Sequence, residues 1–218
     1  MRNFTLVVLL SLLCCVVPAS AGVIFDNFTA SSGTINGWTI NSGYWVSDSF
    51  TLGGNAVVNG VDFEVWLPNA GASVSQVDWS IGTAPNGTDV GHNTALAITK
   101  SLSANLQGYQ LALVTIALPN LDLTAGTTYY LTLQNAVSTS EDGVYWDESD
   151  GPKSVAAYES ALGKLIDTGD GLGCGDQHAG TNPCSESFDI LEPEPSTWTL
   201  LASGILAAFA LRRRAIRS

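Results

Sequence analysis

The chain has 218 residues and a net charge of −12, because 20 acidic residues outnumber 8 lysines and arginines. A surface this acidic repels nucleic acid and anionic lipid head groups, so the composition argues against a nucleic-acid-binding protein. Half of the basic residues lie in the last seven positions, which leaves the rest of the chain even more acidic.

Residues 1–21 have the pattern of a secretory signal peptide. Arg2 precedes an apolar run over 6–17, and Ala19 and Ala21 frame an A-x-A cleavage site directly after a proline. The alternative is an uncleaved membrane helix, but the run is shorter than the roughly 20 residues that span a bilayer. We therefore expect cleavage after Ala21 and export of the chain.

The next segment, 22–192, alternates apolar and polar residues with a period of two, as half-buried β-strands do. Clusters of Gly, Asn, Asp and Pro separate the alternating runs. The expected strands cover residues 23–28, 44–52, 61–67, 77–81, 95–99, 109–113, 129–133, 144–146, 155–158 and 188–191. Many short strands at this spacing predict an all-β protein with a single β-sandwich ectodomain, jelly-roll-like in type.

Several aromatic residues of this segment are candidates for a flat sugar-binding platform. Trp66 falls on the polar phase of its strand, which predicts exposure, and Trp146 lies among acidic residues. Trp79 falls on the apolar phase and is expected in the core. Because aromatics of a sandwich also fill the core, glycan binding by Trp66 and Trp146 stays one of two interpretations.

Two acidic stretches are candidates for calcium, which prefers clustered carboxylates and loop carbonyls. The second stretch, around 167–176, is rich in glycine and should lose more entropy on ordering. We therefore favour the first stretch, although a solvated acidic loop would have the same composition. Its candidate metal ligands are Glu141, Asp142, Asp147, Glu148 and Asp150.

The ectodomain has two cysteines, Cys174 and Cys184, which are expected to form a disulfide in an oxidising compartment. His178 lies between them, but no further cysteine or histidine cluster completes a zinc site. The chain's two histidines lie outside any recognisable catalytic motif. We therefore expect no enzymatic activity and no cofactor other than possible Ca²⁺, with a carbohydrate-active enzyme as a remote alternative.

The last 26 residues combine three features in a fixed order. Pro193, Glu194 and Pro195 come first, and the uncharged run 197–211 follows as a candidate transmembrane helix. The basic end, which the positive-inside rule places in the cytoplasm, comprises Arg212, Arg213, Arg214 and Arg217. This order resembles the PEP-CTERM sorting signal of Gram-negative bacteria, although a plain membrane anchor would share the last two features. The resemblance implies processing by exosortase, a membrane protease-transferase, in an exopolysaccharide-producing cell.

The ectodomain more weakly resembles the choice-of-anchor β-sandwich domains that precede bacterial sorting tails. The similarity rests on the opening run 23–28, the central run 121–131 and the closing run 188–190. Together the two resemblances imply three parts: a signal peptide (1–21), an ectodomain (22–192) and a sorting tail (193–218). We expect the inner membrane to hold the chain before processing, and the cell surface or matrix to receive it. The function we favour is a structural or adhesive role, and the alternative is a glycan- or calcium-binding module.

Overall fold

The computed structural model of the chain describes residues 21–28, 37–149, 157–161, 164–167 and 185–193. Residues 23–192 form one compact unit. Within the described ranges all regular structure is β-strand. The strands are β1 (Gly22–Asp26), β2 (Gly37–Thr39), β3 (Trp45–Thr51), β4 (Ala56–Leu67), β5 (Val74–Gly82), β6 (Gly91–Leu106), β7 (Tyr109–Leu123), β8 (Thr128–Ser138), β9 (Tyr145–Ser149), β10 (Ala157–Ala161), β11 (Lys164–Asp167), β12 (Ser185–Glu186) and β13 (Phe188–Glu192).

The strands form one curled antiparallel sheet in the order β1-β13-β4-β7-β6-β5-β8-β3-β10-β11. Strand β6 turns the corner, because its residues up to Leu96 pair with β5 and its residues from Ala97 onward pair with β7. The curled sheet thereby supplies both layers of a β-sandwich. Strands β13 and β9 share one edge of β4, and β9 in turn pairs with β2 and β12.

The core follows the period of two that the sequence predicts. On β4, Val61, Phe63 and Val65 are fully buried and belong to one apolar cluster that includes side chains from β5, β7, β8 and β13. Asp62 and Glu64, between them, are half-buried. Because successive side chains point to opposite faces, each strand covers the core with every second residue. The all-β class is confirmed.

An aromatic cluster holds the last strand in this core. The Phe188 ring centroid lies 5.2 Å from Phe25, 5.8 Å from Trp146 and 6.1 Å from Phe50. Separations of 4.5–7 Å in tilted or edge-on geometry are favourable for ring pairs. The cluster therefore joins β1, β3, β9 and β13, which are far apart in sequence.

The predicted turn residues lie between strands where the structure describes them. Gly126 has a φ of +71° between β7 and β8, and its N–H donates to the Leu52 carbonyl at 3.0 Å. Asn86, between β5 and β6, has a φ of 55°, a conformation that asparagine tolerates better than most residues. A Cβ on the following Gly87 would lie 2.7 Å from the Ala84 oxygen, so this turn requires glycine.

Several sequence predictions fall outside the described residues and stay predictions. They are the cleavage site residue Ala19, the Cys174 and Cys184 pair, the candidate helix 197–211 and the terminal arginines. In the part of the chain that the structure describes, no helix has the length and apolar character needed to cross a membrane.

Candidate functional site

Both tryptophans considered for sugar binding are completely buried. Trp66 and Trp146 are each 0% exposed. The Trp66 indole N–H donates to the Asp147 carboxylate, and that of Trp146 donates to the Ser187 carbonyl at 3.0 Å. The expectation that Trp66 is exposed was therefore wrong. The alternation correctly places Trp66 on the face of β4 that points away from the core. However, β9 pairs with this end of β4, and its Asp147 accepts the hydrogen bond of the Trp66 indole. Neither ring can stack on a sugar in this state.

The acidic residues around β9 have partners of different kinds. Asp142 accepts a hydrogen bond from the Asn69 amide, and Glu148 accepts one from the Trp38 indole. Asp147 and Glu148 are adjacent on a strand, so their side chains leave opposite faces. Asp150 lies outside the described residues. Among the residues that the structure does describe, no three carboxylate, histidine or cysteine side chains are grouped to hold a metal ion.

A buried polar cluster, which the sequence analysis missed, lies where β12 meets β3. It comprises Asn27, Asp48, Ser185 and Glu186, all at most 1% exposed. Asp48 Oδ2 accepts from the Ser185 hydroxyl at 3.0 Å and from the Glu186 N–H at 2.6 Å. The Asn27 side-chain amide donates to the Glu186 carbonyl at 2.6 Å. The cluster thus binds the segment before β13 to β3 and to Asn27, the residue that follows β1.

The sequence carried a signal for this cluster. Val46, Asp48 and Phe50 share one phase of β3, and all three are buried. A carboxylate on the apolar phase of a strand needs hydrogen-bond donors, because burying it without them is costly. Such a residue marks a polar cluster even when its partners cannot be identified from sequence.

Replacing Asp48 by alanine is expected to lower the free energy of unfolding by about 2–4 kcal/mol, because several buried donors lose their acceptor. The donors include the Ser49 N–H, which lies 2.6 Å from Asp48 Oδ1. Urea unfolding of both proteins measures the loss. Asp122→Ala, at an exposed position on β7, is the matched control and should change stability little. Equal unfolding midpoints for Asp48→Ala and the control would contradict the structural role of Asp48.

Three carboxylates, here called the acid row, lie side by side on neighbouring strands. They are Asp26 at the end of β1, Asp189 on β13 and Asp62 on β4, and Asp189 is the register partner of Asp62. Burial raises the pKa of Asp189 from 3.8 to about 7, with further contributions from the charge and hydrogen bond of Asp26 and from the charge of Asp62. The N–H of Asn27 opposes this rise. Asp62 also accepts the Thr115 hydroxyl at 2.6 Å.

Glu64, two residues further along β4, is a second carboxyl group with an altered environment. Burial raises its pKa, and the hydrogen bond from the Ser187 hydroxyl, at 2.9 Å, partly offsets that rise. Ser187 also accepts the Glu64 N–H through its carbonyl at 3.1 Å. These two hydrogen bonds hold Ser187, the residue before β13, against β4.

A family model matches the segment directly after β13. Residues 193–214 match the family model of the PEP-CTERM protein-sorting motif. The chain carries a PEP-CTERM sorting motif. This confirms the resemblance drawn from Pro193, Glu194 and Pro195. No curated protein matches the chain. The resemblance of the ectodomain to choice-of-anchor domains stays a prediction.

The PEP-CTERM motif marks an exported, surface-directed protein that exosortase processes. Its first residue, Pro193, follows Glu192, which ends β13. Leu191, just before it, is 8% exposed and packs against β4 beside Gly60. The PEP-CTERM motif therefore follows the folded ectodomain without an intervening linker in the sequence.

Proposed function

We propose that the chain is a structural or adhesive protein of the bacterial cell envelope or extracellular matrix, in cells that make exopolysaccharide. The observation that carries this proposal is the PEP-CTERM motif at 193–214, directly after a folded β-sandwich. The internal use of the candidate functional side chains supports it. The Trp66 indole donates to the Asp147 carboxylate and the Trp146 indole donates to the Ser187 carbonyl, so these side chains bond to other parts of the fold.

In this proposal the tail acts in two steps. The apolar run 197–211 holds the exported chain in the inner membrane, and the four terminal arginines remain on the cytoplasmic side. Exosortase then recognises the segment containing Pro193, Glu194 and Pro195 and removes the residues that follow. The prolines suit such recognition because each lacks a backbone N–H donor and has a fixed φ, so they interrupt both strand and helix.

Replacing Pro193, Glu194 and Pro195 together by alanine is expected to abolish processing and to leave the chain in the inner-membrane fraction. Mass spectrometry of the fractionated protein measures both effects. The wild-type surface form should lack the residues beyond about 195, whereas the triple variant should still end at Ser218. Pro119→Ala, at an exposed proline of β7, controls for proline loss itself and should be processed normally. A triple variant processed like wild type, in a strain with active exosortase, would refute the sorting role.

The structural or adhesive part of the proposal needs a separate measurement. A strain without this chain should lose cell-to-cell cohesion or surface attachment, and the wild-type gene should restore it. Purified protein should release no sugar from the strain's own exopolysaccharide. Restored cohesion without sugar release supports a structural or adhesive role. Sugar release by the purified protein would instead favour the enzyme alternative.

A further inference from the structure

The acid row connects the two ends of the ectodomain. Of the strands that the structure describes, β1 is the first and β13 is the last, and they are neighbours in the sheet. The Asn27 N–H donates to the Phe188 carbonyl at 3.0 Å, which brings Asp26 beside Asp189. On the other side of β13, Asp189 pairs in register with Asp62 of β4. Three acidic side chains thus cross three adjacent strands at one level.

Asp189 is the most enclosed member of the row. It is 7% exposed, and within the described part of the chain no donor reaches its Oδ1 atom. Its charged neighbours are Asp26 from β1 and Asp62 from β4, both acidic. The basic side chains that the structure describes, Lys100 and His92, lie on β6 and are register partners of Leu113 and Ser80. Neither lies in the row.

Two carboxylates cannot hydrogen-bond to each other unless one of them carries a proton, because an ionised carboxylate only accepts. The contact between Asn27 and Phe188 sets Asp26 and Asp189 opposite each other on neighbouring strands, and Asp189 is the enclosed member of the pair. We propose that Asp26 and Asp189 share one proton and so form a pH-dependent clasp between the first and last strands of the ectodomain. Loss of that proton to solvent leaves Asp189 negatively charged between two other acidic side chains and weakens the clasp.

The direction of the pH effect follows from linkage. Asp189 has a pKa of about 7 in the folded chain, above its ordinary value of 3.8, so the folded state holds the proton more tightly than the unfolded state. The stability that this group contributes is complete below about pH 4 and is lost as the pH rises through about 7. The ectodomain is therefore held more firmly in acidic than in alkaline surroundings.

Replacing Asp189 by asparagine tests the clasp, because the amide can donate to Asp26 at every pH. The full chain, expressed with its own signal peptide and tail and purified in a mild detergent, is melted between pH 5 and pH 8.5. The melting temperature of wild type should fall by about 5 °C more than that of Asp189→Asn across this range. At pH 8.5 the melting temperature of Asp189→Asn should be higher than that of wild type. Asp26→Asn, which changes the other member of the pair, should reduce the pH dependence of the melting temperature in the same way.

The control is Asp122→Asn, which removes an exposed acid from β7 and should keep the wild-type profile. Equal pH profiles for wild type, Asp189→Asn and Asp26→Asn would overturn the proposal. A second arm adds calcium chloride at pH 8.5. If calcium restores the wild-type melting temperature and loses this effect in Asp189→Asn, the row holds a cation rather than a proton, and the clasp is refuted. No calcium effect, together with the flattened profiles, supports the shared proton.

Discussion

A chain that ends at Glu192 is expected to fold, whereas a chain that ends at Cys184 is expected to remain unfolded. The difference is the eight residues of β12, Ser187 and β13. They supply Phe188 and Ile190, both 0% exposed, and pair with β4 over four register positions. Their loss also removes Ser185 and Glu186, which belong to the buried polar cluster and bond to Asp48. The combined cost is comparable to the roughly 5–15 kcal/mol by which a domain is typically stable.

Two fragments beginning at Gly22 make this measurement clean. Both keep Cys174 and Cys184, so a disulfide between them cannot account for any difference. Near-UV circular dichroism and cooperative urea unfolding should report a native state for the fragment that ends at Glu192 and none for the shorter one. A cooperative transition in the shorter fragment, at a similar urea concentration, would mean that β13 is an accessory rather than a part of the core.

Replacing Phe188 by alanine is expected to lower the free energy of unfolding by about 3–5 kcal/mol, because it leaves a cavity among large rings. Phe25, Phe50 and Trp146 surround the position. Phe188→Leu should cost less than Phe188→Ala, since it leaves a smaller cavity. Chemical denaturation of the ectodomain measures the series.

Leu96→Ala is the matched control for this series. Leu96 is 81% exposed on β6, so its truncation removes apolar atoms without opening a cavity. Its free energy of unfolding should lie within about 0.5 kcal/mol of wild type. If Phe188→Ala proves no more destabilising than this control, the packing around β13 is not as the structure has it.

The strands were predictable because their alternation is local. Residues 61–67, 77–81, 109–113 and 129–133 all lie within observed strands. Trp79, on the apolar phase of β5, is 2% exposed as expected. The lengths of β6 and β7 were underestimated, since β6 changes partners at Leu96 and continues into the other layer. The two-residue strand β12 has too short a pattern to be recognised.

The candidate site was less predictable from sequence, because a side chain on one strand can be buried by a second strand that is distant in sequence. Trp66 is buried near Asp147, 81 residues away, and no local pattern announces that pairing. Asp48 was identifiable as unusual from its phase, but its partners Ser185 and Glu186 were not. The sorting motif was recognisable because it is read as a linear segment and needs no distant partner.

The pairing of β1 with β13 has a consequence for the order of export. A secreted chain crosses the membrane from its N-terminus, so β1 emerges first and its neighbour in the sheet emerges last. The aromatic cluster and the acid row must both wait for residues 185–192 before they can close. The next residue to arrive is Pro193, at the start of the motif. The ectodomain is therefore completed almost at the moment when its sorting signal is exported. A chain that stalls before residue 185 has neither a closed ectodomain nor an exported sorting motif.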